Sequence, residues 1–176
     1  MKRYLLLLSL IVVALAGVAT VTHAQSEQPM TDERVEVIRA NCKEAIVTLD
    51  RLHASDGLLR VNRGQLFESI STKLMTPFNN RLNANQLERG LLPAISEEYV
   101  SRLDTFRSDY QDYEKAMTRT LMIDCTRQPV TFYDAVVETR TKRQKVHDSS
   151  VLLQDSIRKY RAEVDVFVGK FKEVAQ

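Results

Sequence analysis

The 176-residue chain carries 25 Lys and Arg against 23 Asp and Glu, a formal net charge of +2, with five Gly, four Pro, two Cys and no Trp. That length suits a single domain, and so few Gly and Pro point to helices rather than to a β-rich fold. Near-neutrality gives no electrostatic case for nucleic acid or an anionic membrane as the main partner.

The N-terminus sets the expected compartment. Met1-Lys2-Arg3 is a short positive region, Leu5 to Val18 is apolar apart from Ser9, and Thr22-His23-Ala24 has the small-residue pattern of a signal-peptidase site. Residues 1–24 therefore read as an export signal and 25–30 as a tether, leaving 31–176 as one helical domain. An earlier cut after Ala16, or an uncleaved anchor, are the alternatives, because Tyr4 to Val21 is just long enough to reach across a bilayer. That anchor is the one membrane attachment expected. Losing Lys2 and Arg3, and no acid, takes the net charge to 0. Cys42 and Cys125 both lie in the exported part, and an even count in an oxidising compartment predicts one disulfide.

Helix one is expected from Thr31, a capping residue followed by Asp32 and Glu33, to about Met75. Its positions 35, 38, 42, 45, 49, 52, 56, 59, 63, 66, 70 and 73 alternate steps of three and four, the spacing of a coiled-coil seam. Nine of the twelve are apolar or small; Asp56, Arg63 and Lys73 are not. Asp56 and Arg63 stand one heptad apart, and each is followed by a glycine, Gly57 and Gly64. Thr76-Pro77 is expected to end or kink this helix. Residues 77–95 then form a small cap, with a short helix from Phe78 closing at Gly90.

Ser96-Glu97-Glu98 reads as the start of helix two, whose face is Tyr99, Leu103, Phe106, Tyr110, Tyr113, Met117 and Leu121, ending near Cys125. Thr126 to Pro129 is a turn. Helix three covers about 130–175, with a seam of Phe132, Val136, Thr139, Arg143, Val146, Ser150, Leu153, Ile157, Tyr160, Val164, Phe167, Phe171 and Val174. The fold class is all-α: an elongated, antiparallel three-helix coiled-coil-like bundle with helices at about 31–75, 96–125 and 130–175.

The cysteines set the register. If Cys42 and Cys125 are bonded, counting about 1.5 Å per residue puts Arg143 level with positions 55 to 60, and Ser150 near Arg63. Two polar layers follow: Arg143 against Asp56, and Arg63 reaching Ser150 or an acid on helix two. The cluster Arg140, Lys142, Arg143 and Lys145 falls opposite Asp109, Asp112 and Glu114, which suggests ion pairing within the bundle. Phe167, Phe171 and Val174 need cover from the cap.

Catalytic signatures are missing: no Gly-x-Ser-x-Gly, no phosphate-binding glycine loop and no dinucleotide fingerprint. His53 and His147 are set apart by the register, so no metal site and no cofactor are expected. Gly57 and Gly64 have two readings, close helix approach or a shallow ligand groove formed with Asp56, Asn62, Arg63 and Gln65. The expected function is that of a non-catalytic extracytoplasmic protein, secreted or envelope-attached, acting through protein–protein contact as a structural, adaptor or holdase-like element. The alternative is a small-ligand sensor using the 56–65 insert.

Overall fold

Thr31 caps the first helix through its side-chain oxygen, which accepts from the Arg34 N–H at 3.4 Å, and Asp32 and Glu33 occupy the first turn. The structure, a computed structural model, describes residues 30–174, so the expected signal at 1–24 and most of the tether lie outside the described residues. In chain order come α1 (Asp32–Ser69), a π-helical turn (Ile70–Met75), α2 (Thr76–Ala84), α3 (Leu92–Met122) and α4 (Pro129–Val174). Among the described residues there are no strands, and the long helices form a bundle.

Of the two outcomes expected at Thr76-Pro77, an end or a kink, the end does not occur. The backbone passes through Pro77 into α2, because the preceding turn is π-wound: the Thr76 N–H donates to the Ser71 carbonyl, five residues back. The wider turn accommodates a ring that would otherwise press on the carbonyl four residues earlier. Two tyrosines brace this irregularity from either side. The buried Tyr99 hydroxyl of α3 donates to the Phe67 carbonyl at 2.9 Å, and the Tyr160 hydroxyl of α4 donates to Asn79 Oδ1 at 2.9 Å, with the Met75 carbonyl 3.3 Å away. Their contacts with the Phe67 and Met75 carbonyls fall on either side of the π turn.

The remaining helix ends also follow proline and turn chemistry. α2 closes in a Schellman arrangement, the Leu87 N–H donating to the Leu82 carbonyl at 2.9 Å and the Gln86 N–H to the Asn83 carbonyl at 3.1 Å. Gln86, with φ +55°, takes the left-handed position expected of Gly90. Gly90 is needed for another reason: its φ is +51°, and a Cβ there would collide with the Glu163 carboxylate, which accepts the Leu91 N–H at 3.1 Å. α3 begins at Leu92, not Ser96, since Pro93 suits the first turn of a helix. Ser96 is consequently a buried interior residue. α4 likewise starts on its proline, Pro129.

α3 and α4 form an antiparallel hairpin, joined at its base by the buried hydroxyl pair Thr120 and Thr139, 2.8 Å apart. Helix one lies antiparallel to α3 and parallel to α4. Cys42 and Cys125 are disulfide-bonded, with Cα atoms 5.6 Å apart. Higher up, the Phe67 and Phe106 rings meet edge to face at 5.4 Å, and at the far end Phe78 covers Phe167 at 5.9 Å. Phe171 stacks on Phe167 but stays 51% exposed, so the cap covers only part of that end.

The faces of α3 and α4 follow the predicted positions closely; Tyr99, Leu103, Phe106, Tyr110, Tyr113 and Met117 are all buried. The seam of α1 holds only as far as Asp56. Beyond it the inward side moves round by one residue, to Phe67, Ser71 and Met75, leaving Leu59 and Leu66 48% and 56% exposed. A straight helix drifts away from a strict heptad, and Asp56 and Phe67, the two buried residues of α1, stand eleven residues apart, the longer period that follows such drift. The outcome is uneven packing. Over its 38 residues α1 buries only Asp56 and Phe67, whereas α3 buries ten side chains in 31 residues.

Candidate functional site

Asp56 is the centre of the bundle's polar layer. It is 9% exposed, and Arg143 grips both its oxygens, Nε donating to Oδ2 at 2.6 Å and Nη2 to Oδ1 at 3.0 Å. Tyr113 of α3 donates its hydroxyl to Oδ2 at 2.7 Å, so all three long helices meet at one carboxylate. Burial pushes the Asp56 carboxyl upward. The hydrogen bonds from Arg143 and Tyr113, together with the Arg143 charge, outweigh that and hold it below the ordinary aspartate value of 3.8. Burial, reinforced by the bond to Asp56, pushes the Tyr113 hydroxyl up, and the bond to Asp56 pushes Arg143 up. The layer is thus a closed ionic unit at neutral pH.

A second polar row lies between α1 and α3. His53 Nε2 is 2.9 Å from Glu114 Oε2, the Tyr110 hydroxyl donates to Glu114 Oε1, and the Arg60 guanidinium sits 4.6 Å from the Tyr110 ring centroid. Burial pushes the Glu114 carboxyl up, but the bonds from His53 and Tyr110 leave it below its ordinary value.

The expected Arg63–Ser150 layer does not form. Ser150 is 3% exposed and its Oγ is buried without a hydrogen-bond partner, while Arg63 has no ion pair or hydrogen bond among the described residues. The shift of the inward face explains this, because it turns Arg63 away from the axis onto the flank that faces α4. The basic cluster also behaves differently from the expectation. Only Lys142 meets the acids named for it, at 3.2 Å from Asp112; Arg143 goes to Asp56 and Glu114 to His53. Arg140 is left unpaired among the described residues.

Nor do the glycines mark a close helix approach. A Cβ added at Gly57 or Gly64 would meet nothing within 4 Å. Both lie on the α3 side of α1: Gly57 beside His53 and Glu114, Gly64 and Gln65 in a groove with Glu68, Lys73 and Arg107. Asn62 is exposed. The insert 56–65 therefore splits between two flanks of the helix and makes no single site. Since an alanine methyl fits at either glycine, Gly57→Ala and Gly64→Ala should each raise stability by about 0.5–1 kcal/mol. Thermal melts of the two variants check this; a fall in Tm would contradict the open surroundings.

On the α4 side, Asp56, Arg63, Arg140, Arg143 and Ser150 do come together, in a cleft of about 430 Å³ that also takes in Arg60, Tyr110 and His147. Tyr113, Arg140 and His147 were not singled out from sequence as site residues. Tyr113 had a signal: it stands 12 residues before Cys125, as Asp56 stands 14 after Cys42. Among the described residues no group of His, Cys, Asp and Glu could hold a metal ion, and no helix is long and apolar enough to cross a membrane. No family model, no curated protein and no solved structure matches the chain.

Proposed function

We propose that the chain is an exported, non-catalytic helical bundle that works by protein–protein contact, with α1 as the helix presented to the partner. The observation that carries this reading is the poor burial of α1. Leu58, Leu59, Val61 and Leu66, with Leu74 of the π turn, are 48–70% exposed in one short stretch, on a helix that buries two residues in 38. Leu58, Leu59 and Leu66 fall within about 100° of one another around the helix, and apolar side chains gathered in this way on a bundle surface fit a contact face. The disulfide is compatible with an oxidising compartment outside the cytoplasm, and the N-terminal sequence supports export. A non-catalytic role fits the polar layer, where the one deeply buried carboxylate among the described residues is ionised and already engaged by Arg143 and Tyr113, so it is not free to act as a base.

The test is photo-cross-linking of the full chain in the cells that produce it, with a photoreactive residue at position 58 or 66 and, as control, at Gln111, exposed on α3. Discrete protein adducts from 58 and 66, and not from 111, are expected. Equal labelling from all three positions, or none from any, contradicts the reading.

A further inference from the structure

We propose that the cleft between α1 and α4 binds a small organic oxyanion, a carboxylate or phosphate with an apolar body, through Arg63 and Arg140. Its walls carry Arg60, Arg63, Arg140 and Arg143 against a single acid, Asp56, whose two oxygens are already taken by Arg143 and Tyr113. Arg60 lies over Tyr110. Arg63 on α1 and Arg140 on α4 have neither an acid nor an aromatic partner among the described residues, and they face the same cleft from opposite helices. Guanidinium forks match carboxylate and phosphate oxygens in pairs.

The independent observation is Ser150. Its hydroxyl is buried without a partner, a costly state for a polar group, and it belongs to the lining of this same cleft. An anionic oxygen seated beside Arg63, which the Asp56–Arg143 pair puts level with Ser150, would accept that O–H. The lining also includes Leu59, Phe106 and Val146, an apolar bed for the rest of the ligand, and about 430 Å³ lies within the usual range for small-molecule sites. The site uses α4 and the α4-facing flank of α1 and shares only Leu59 with the exposed apolar stretch, so the arginine variants test it separately from the proposed protein contact.

Phenyl phosphate, benzoate and inorganic phosphate, titrated into the full disulfide-bonded chain at matched ionic strength, test the proposal. Saturable binding of phenyl phosphate or benzoate, tighter than that of inorganic phosphate, is expected, and the better of the two identifies the head group. In Arg63→Gln/Arg140→Gln the affinity should fall about tenfold or more, with the ligand-free Tm unchanged because neither arginine has a partner to lose. Ser150→Ala should raise the ligand-free Tm and weaken binding. Absence of saturable binding by both organic anions, or equal affinity in the double arginine variant, overturns the site. Unchanged affinity in Ser150→Ala removes the hydroxyl from it.

Discussion

Reduction of the Cys42–Cys125 disulfide, or replacement of both cysteines by serine, is expected to lower the unfolding free energy by on the order of 4 kcal/mol. The bond closes a loop spanning a sequence separation of 83, and restricting the unfolded chain over such a loop is worth about that much. Contacts in the folded protein point the same way. Near its base helix one has no fully buried side chain, only partly buried ones such as Val35, Ile38 and Ala45. Leu49 and Leu52 pack against the cluster of Tyr110, Tyr113 and Met117. Little else ties that end of the helix to the hairpin. Urea unfolding of oxidised and fully reduced protein measures the difference, and coincident midpoints would contradict it.

The second large effect concerns the polar layer. Arg143→Met should cost about 2–4 kcal/mol at neutral pH, because it leaves the Asp56 carboxylate buried with Tyr113 alone. Arg143 is itself half exposed, which keeps the loss below that of a fully sequestered pair. The pH profile separates this from a packing defect. In the native chain Asp56 is held below its ordinary value, so its contribution is present above about pH 4 and is lost as pH falls through the lower folded value. Without Arg143, burial dominates and the carboxyl moves up. The variant should then gain stability as pH falls from 7 toward 4, opposite in sign to the native contribution. Asp56→Leu/Arg143→Met should recover much of the loss, the coupling expected of residues in contact. A variant with the native pH slope would refute the ionic account.

Much of the architecture was legible because α3 and α4 keep their inward positions in phase from end to end. Tyr99 to Met117 and Phe132 to Tyr160 can be read off as faces with no tertiary knowledge. The height of Arg143 against Asp56 was legible for a different reason: a disulfide fixes two levels, and straight helices carry that register upward residue by residue.

What stayed hidden in the sequence was helix one above Asp56. The three-and-four spacing of Leu59, Arg63, Leu66 and Ile70 continues the lower seam, yet the true inward residues, Phe67, Ser71 and Met75, carry an equally acceptable pattern one place further on. Choosing between two such faces depends on which one the hairpin can fill, and Phe106 fills it with Phe67. The way Pro77 is accommodated was hidden in the same region, since the turn that receives it is braced by Tyr99 and Tyr160, 22 and 83 residues further along. The candidate site inherits this difficulty. Arg63 was expected beside Ser150 as its partner; both line one cleft, but they leave each other unbonded.

The central claim is that helix one is a loosely packed helix clasped to a well-packed hairpin at the disulfide and at Asp56. Native-state hydrogen exchange, followed by peptide in the oxidised and the reduced protein, tests it most directly. Amides of α3 and α4 between 103–120 and 139–160 should exchange last in both states. Amides of α1 between 42 and 66 should exchange sooner, and much faster still once the disulfide is reduced. Protection in α1 equal to that of the hairpin, unaffected by reduction, would contradict the account.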